Sequence, residues 1–245
     1  DGATIYVMSD VEMNQMAWVW EKELTITSYG VDPVTLSRGE NFHTNTDPAR
    51  QRYNPAMIEV GGETEQGTVS SLILTHIILD DMGKYEGEYF VQADSEGDGE
   101  TTVSRSEVPN TSIVQDAIIA TYNGMGTITL GDGAELRNYG GMSAVRLSGG
   151  ELIMEEGSAI LDTTENEREK GASGSFGPAG AVWLQGGILT MNGGTIGGDK
   201  GVMMNGRALY ADGGTANIGG TIQNIHGTDA AWQGQNGVAV HLRSH

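Results

Sequence analysis

The chain has 245 residues, among them 38 Gly, 5 Pro and no Cys, with aromatics at 6% and a formal net charge of −20 at pH 7. That charge argues against nucleic acid and against an anionic membrane surface as partners, and no apolar run approaches the roughly 18 residues needed to insert in a bilayer. Without cysteine there is neither a disulfide nor a thiolate metal site, and the length suits one domain.

In chain order, "DGATIYVMSD" opens directly on a strand at 4–10, with no polar cap before it, so the chain reads as a piece of a longer protein. Alternating or apolar runs predict further strands over 17–27 ("AWVWEKELTIT"), 57–62, 71–81 ("SLILTHIILDD") and 88–93 ("EYFVQA"). Between them, 37–55 ("SRGENFHTNTDPARQRYNP") reads as a long polar excursion. "ADSEGDGE" places Asp94, Glu96 and Asp98 at alternate positions before Gly99, as a calcium loop does when oxygens converge on a hard cation. The pattern is incomplete, because Arg105 stands where the bidentate Glu belongs; the alternative is a solvated acidic turn.

From residue 117 the chain repeats itself. "AVRLSGGELIMEEGSAILDTT" at 144 returns as "AVWLQGGILTMNGGTIGGD" at 181 and "ALYADGGTANIGGTIQN" at 208, with weaker copies at 117 and 239. The unit is about 27 residues, lengthened in places by insertions. Each copy holds three short runs of period two, separated by Gly, Asn and Asp, which reads as three strands per coil. The pairs Gly149-Gly150, Gly186-Gly187 and Gly213-Gly214 recur at one phase, where a tight corner demands positive φ or close backbone approach. No coil can bury its apolar face alone, so the prediction is an all-β, right-handed single-stranded parallel β-helix, with coils stacked about 4.8 Å apart. Residues 1–242 form this one domain, irregular over 1–116 and regular over 117–242, and "RSH" at 243–245 reads as a tag remnant.

Alternation then assigns faces. With Val145, Leu147, Val182 and Leu184 inside, the outward column is Ile119, Arg146, Trp183, Tyr210 and His241, and a looser alignment adds Glu59 and either Phe90 or Gln92. An exposed ribbon of rings and charged groups suits a carbohydrate, since sugars dock on aromatic faces while Arg, Glu and His orient their hydroxyls. Strand preference for bulky residues, or a covering insertion, would produce the same column without a ligand. The insertions at 163–180, 197–207 and 223–237 all follow a third strand, so they emerge at one corner and wall the ribbon, with His226 and Trp232 in that wall.

Two carboxylates flanking a bond are the minimum for glycoside hydrolysis, and Asp80, Asp81 and Glu59 are the candidates on this elongated face. Neighbours on a strand point to opposite faces, so Asp80 and Asp81 serve one site only if the strand ends between them. His43, His76, His226 and His241 lack metal spacing, His76 reads as a structural residue within a strand, and no hydrolase or phosphate-loop motif is present.

The phrasing "GGILTMNGGTIGGD" and "GGTIQN" resembles the pectate-lyase-like right-handed β-helix repeats of large secreted and surface proteins of Gram-positive bacteria, gut commensals included. The resemblance implies an extracellular location and a fold that hosts adhesins, polysaccharide lyases, glycoside hydrolases and tailspikes alike. Pectate lyases hold Ca²⁺ with Asp residues and use an Arg on a sheet face. Arg146 occupies such a face, yet no Asp cluster stands in register with it, so that chemistry does not transfer. The expectation is an adhesin-like domain holding a host or dietary glycan, or a host protein such as an immunoglobulin. Trp183 and Tyr210 then stack, Arg146 and His241 make polar contacts, and Trp232 forms part of the wall. A glycan-cleaving enzyme and a ligand-free stalk are the alternatives.

Overall fold

The structure, a computed structural model, describes residues 2–43, 56–61, 70–82, 88–90, 102–104, 117–121, 126–139, 143–162, 180–198, 204–205, 207–226 and 239–242. The described residues contain strands and no helix, and the strands recur in threes along the chain. They build three parallel sheets of seven strands each, the right-handed parallel β-helix expected from the repeats.

The first sheet stacks Ala3–Val7, Glu23–Ser28, Ser70–Thr75, Gly126–Leu130, Glu151–Met154, Ile188–Met191 and Thr215–Ile218. In the second lie Val11–Gln15, Val34–His43, Ile77–Asp80, Ala134–Arg137, Ala159–Asp162, Thr195–Gly198 and Thr221–Gln223. The third contains Ala17–Val19, Ala56–Val60, Ala117–Thr121, Ser143–Leu147, Val182–Leu184, Leu209–Ala211 and Val240–Leu242. The five intervals of ten or more residues between consecutive coil strands (44–55, 81–116, 163–181, 199–208 and 224–239) all run from the second sheet to the third.

Parallel pairing in register turns the period-two writing into continuous apolar columns. Leu24, Leu72, Ile128, Leu152, Leu189 and Ala216 succeed one another in the first sheet, and Leu36, Leu79, Leu136, Ile160, Ile196 and Ile222 in the second. Ile58, Ile119, Val145, Val182 and Leu209 do the same in the third. Most of these side chains are fully buried and belong to one core cluster, which drives stacking because no coil covers its own face.

The glycine corners follow the sequence reading. Gly150, Gly187 and Gly214 have φ of 74°, 79° and 81°, and a Cβ at each would collide with a carbonyl oxygen of the coil before. At the corner from the first sheet to the second, His76 (φ 49°) takes the place that Gly133 (φ 67°) fills one coil later. "SLILTHIILDD" is therefore two strands, and His76 turns the chain between them instead of lying within one. Its apolar residues run almost without a break, which hides a one-residue corner from periodicity.

Three other readings are corrected. Residues 11–15, "VEMNQ", form a strand although they are mostly exposed and polar, because backbone pairing with Val34–His43 suffices. Residues 37–43 belong to that same long strand, so the polar excursion begins later than its composition implied. Glu88–Phe90 pairs antiparallel with Thr102–Ser104 outside the three sheets, which removes Phe90 from the outward column; Gln92 lies outside the described residues.

Candidate functional site

The outward column of the third sheet is fixed by its pairing. Trp18, Glu59, Ala120, Arg146, Trp183, Tyr210 and His241 follow one another, one per coil. Ala120 takes the position assigned to Ile119: the copy at 117 is one residue out of phase with the others, and Ile119 pairs with Val145 in the inward column. Glu59 belongs as expected. Trp18 was missed, although "AWV" shares the short phrase of "VWL" and "LYA", an apolar pair around an outward ring.

Exposure divides this column. Glu59 and Arg146 are each 2% exposed, Ala120 1% and Trp183 7%, whereas Tyr210 and His241 are half-buried. The middle of the column is thus a covered stack and not the open ribbon that alternation alone predicts. Glu59 and Arg146 each have an interaction partner, as buried charges require. The sequence did carry a signal of this cover. "AMI" in Ala56–Val60 and "AIIA" in Ala117–Thr121 are unbroken apolar runs, the mark of strands buried on both faces.

At the accessible end the aromatic groups form a ladder. The Trp183 and Tyr210 ring centroids lie 6.3 Å apart with planes inclined at 55°, and Tyr210 and His241 lie 5.1 Å apart at 63°. Both spacings fall in the range of attractive tilted and edge-to-face pairs. Trp183 Nε1 donates to Asp212 Oδ2 at 3.2 Å, which anchors the indole and places a carboxylate beside the ladder. The Arg207 guanidinium carbon sits 5.3 Å from the Tyr210 ring centroid, a cation–π distance. Arg207 and Asp212 are half-buried, and neither was foreseen; they flank the strand Leu209–Ala211 in sequence, and the fold sets Arg207 against the Tyr210 ring and Asp212 against the Trp183 indole of the coil before.

The candidate catalytic carboxylates do not converge by any described contact. Asp80 lies in the second sheet and Glu59 in the third. The strand does end between Asp80 and Asp81, which frees both from strict alternation, but each is engaged. Asn138 Nδ2 donates to the two carboxylate oxygens of Asp80, both at 3.1 Å, and the Met82 amide donates to Asp80 Oδ1 at 2.8 Å. Asp81, 2% exposed, forms a buried ion pair with Arg38, whose Nη2 also donates to the Ala117 carbonyl at 3.2 Å. That pair clamps the second sheet to the third where the longest interval leaves the coil.

Asp94, Glu96, Asp98 and Trp232 lie outside the described residues. Among the described residues no group of three or more His, Asp or Glu is placed to hold a metal ion.

These features define the class through architecture alone: a right-handed, three-sheet parallel β-helix with an aromatic ladder on one outer face. Compared with known proteins, the chain matches no family model, and no curated protein and no solved structure matches it significantly.

Proposed function

We propose that this chain is an adhesin-like, ligand-binding β-helix segment of a bacterial surface or secreted protein. It holds a carbohydrate against the C-terminal part of its third sheet. The observation that carries this reading is the Trp183–Tyr210–His241 ladder, flanked by Arg207 and Asp212 and accessible at Tyr210 and His241. A sugar needs an apolar ring face together with a few fixed donors and acceptors, and this cluster supplies both within three consecutive coils. Tyr210 and His241 form the contact surface, Arg207 and Asp212 orient hydroxyls, and Trp183 supports Tyr210 from beneath. Arg146 lies too deep to touch the ligand in this arrangement. A −20 chain favours a neutral glycan over an acidic one.

The test is retention of the chain, and of Tyr210→Ala and His241→Ala, on an array of neutral and acidic glycans, with host proteins such as immunoglobulins alongside. Selective retention on a glycan, weakened at least about tenfold in both variants while their unfolding midpoints stay near that of the parent chain, supports the reading. Retention indifferent to both substitutions sinks it. The glycan-cleaving alternative gains nothing from Asp80, Asp81 and Glu59 as placed, because the first two are tied to Asn138 and Arg38 and the third is on another sheet.

A further inference from the structure

We infer that two copies of this chain pair face to face through the outer side of the first sheet, with their solenoids antiparallel. The five strands from Glu23–Ser28 to Ile188–Met191 each have a paired neighbour on both sides, so the exposure of their outer face owes nothing to where the sheet stops. Its central column is Thr25, Ile73, Thr129, Ile153 and Thr190, and the column beside it is Glu23, Ser71, Thr127, Glu151 and Ile188. The central residues are all half-buried and all β-branched, and Ile188 is 41% exposed. Branched side chains have few rotamers to lose, so this face is ordered before any partner arrives.

Charge is sparse on it. In a chain with 33 Asp and Glu, the two columns hold only the carboxylates of Glu23 and Glu151 and no cation. Glu151 Oε1 already accepts a hydrogen bond from Thr190 Oγ1 at 3.1 Å.

The face is complementary to itself. A two-fold axis parallel to the strands and lying over Gly126–Leu130 keeps each residue's place along its strand and exchanges the coils on either side. It sets Thr25 against Thr190, Ile73 against Ile153, Ser71 against Glu151 and Glu23 against Ile188, while Thr127 and Thr129 meet their own copies. Isoleucine meets isoleucine near the centre, hydroxyls meet hydroxyls or a carboxylate, and no two carboxylates are opposed. A two-fold axis along the solenoid would instead hold each coil opposite its own copy and set Glu151 against Glu155, so like charge rejects the parallel arrangement. Seven strands about 4.8 Å apart and five residues wide cover roughly 500 Å² a side, near the least that a specific interface buries, so the dimer is reversible. Two chains of −20 repel each other, and pairing therefore strengthens with salt.

Sedimentation velocity over a concentration series, at low and high salt, tests this with Ile73→Lys, Ile153→Asp and the double variant carrying both. These positions lie on an outer face and are half-buried, so each variant should unfold within about 1 kcal/mol of the parent; Thr25→Lys and Thr190→Asp are the replacements if either does not. The parent chain should form a dimer that grows with concentration and salt and nothing larger, because an isologous contact closes on itself. Each single variant should dimerise more than about tenfold more weakly, since it sets an unpaired charge against isoleucine. The double variant should regain the dimer, because the two-fold sets lysine against aspartate twice. A parent chain that is monomeric throughout, or that assembles past a dimer, overturns the inference. So does a single variant that pairs as the parent does, which would put the contact elsewhere. A double variant as weak as the single ones overturns it too, because only the antiparallel two-fold brings the two substitutions together.

Discussion

The first and third sheets are written with the same period of two and stacked in the same register, yet their outer faces have different fates. Along Ser70–Thr75 and Gly126–Leu130 burial alternates residue by residue, with Thr and Ile half-buried on the outside. Along Ala56–Val60, Ala117–Thr121 and Ser143–Leu147 every residue is buried. The middle strands of the first sheet keep a half-buried outer face. The third is a buried layer over its middle strands and opens at its ends, toward Ala17 and Trp18 on one side and toward Tyr210 and His241 on the other. The difference shows that in a β-helix the inner columns set the fold, while cover on the outer columns decides where a ligand can reach.

The largest expected effect is at the clamp between the second and third sheets. Arg38→Ala removes the guanidinium that pairs with buried Asp81 and should cost about 3–5 kcal/mol in urea unfolding. If the cost is near zero, Asp81 is solvated and the cover over the third sheet is loose. Next comes Ile118→Ala, an outward position by alternation but one fully buried within the core cluster, with an expected loss of roughly 2–4 kcal/mol. A loss below about 1 kcal/mol would mean that this face is open after all and would restore the simple exposed ribbon.

A smaller effect is expected at the corners. Gly187→Ala forces a non-glycine residue to φ 79° against a neighbouring backbone carbonyl and should lower stability by about 1–3 kcal/mol, read from the thermal midpoint. Gly213→Ala, one residue before a corner glycine and not among the positive-φ positions, should cost less, and equal losses would place the strain elsewhere. The smallest change belongs to Thr129→Ala on the outer face of the first sheet, within about 0.5 kcal/mol of the parent. Set beside Ile118→Ala, it measures the difference between the two outer faces directly.

Legibility followed physics that acts locally. The three strands per coil, the glycine corners and the inward columns could be read because each depends on a residue's own geometry or on alternation over a few neighbours. The copy at 117 slipped by one position because "AIIAT" is apolar on both faces and gives alternation nothing to grip, which moved Ile119 into a column that belongs to Ala120. The strand at Val11–Gln15 escaped because its residues are polar and its stability comes from backbone pairing with the next coil.

Of the site, the sequence by itself determined the order Arg146, Trp183, Tyr210, His241, since repeat spacing fixes which residues stack. Only the tertiary structure decided which of them a ligand can touch. Burial of Glu59, Arg146 and Trp183 depends on whatever packs over the third sheet, and no repeat unit records that. The same holds for Asp212 and Arg207, which the fold sets against the Trp183 indole and the Tyr210 ring, and for Asp80 and Asp81, whose partners Asn138 and Arg38 arrive from 58 and 43 residues away. Alternation is a property of one strand, whereas exposure and charge pairing depend on every strand and connection stacked around it.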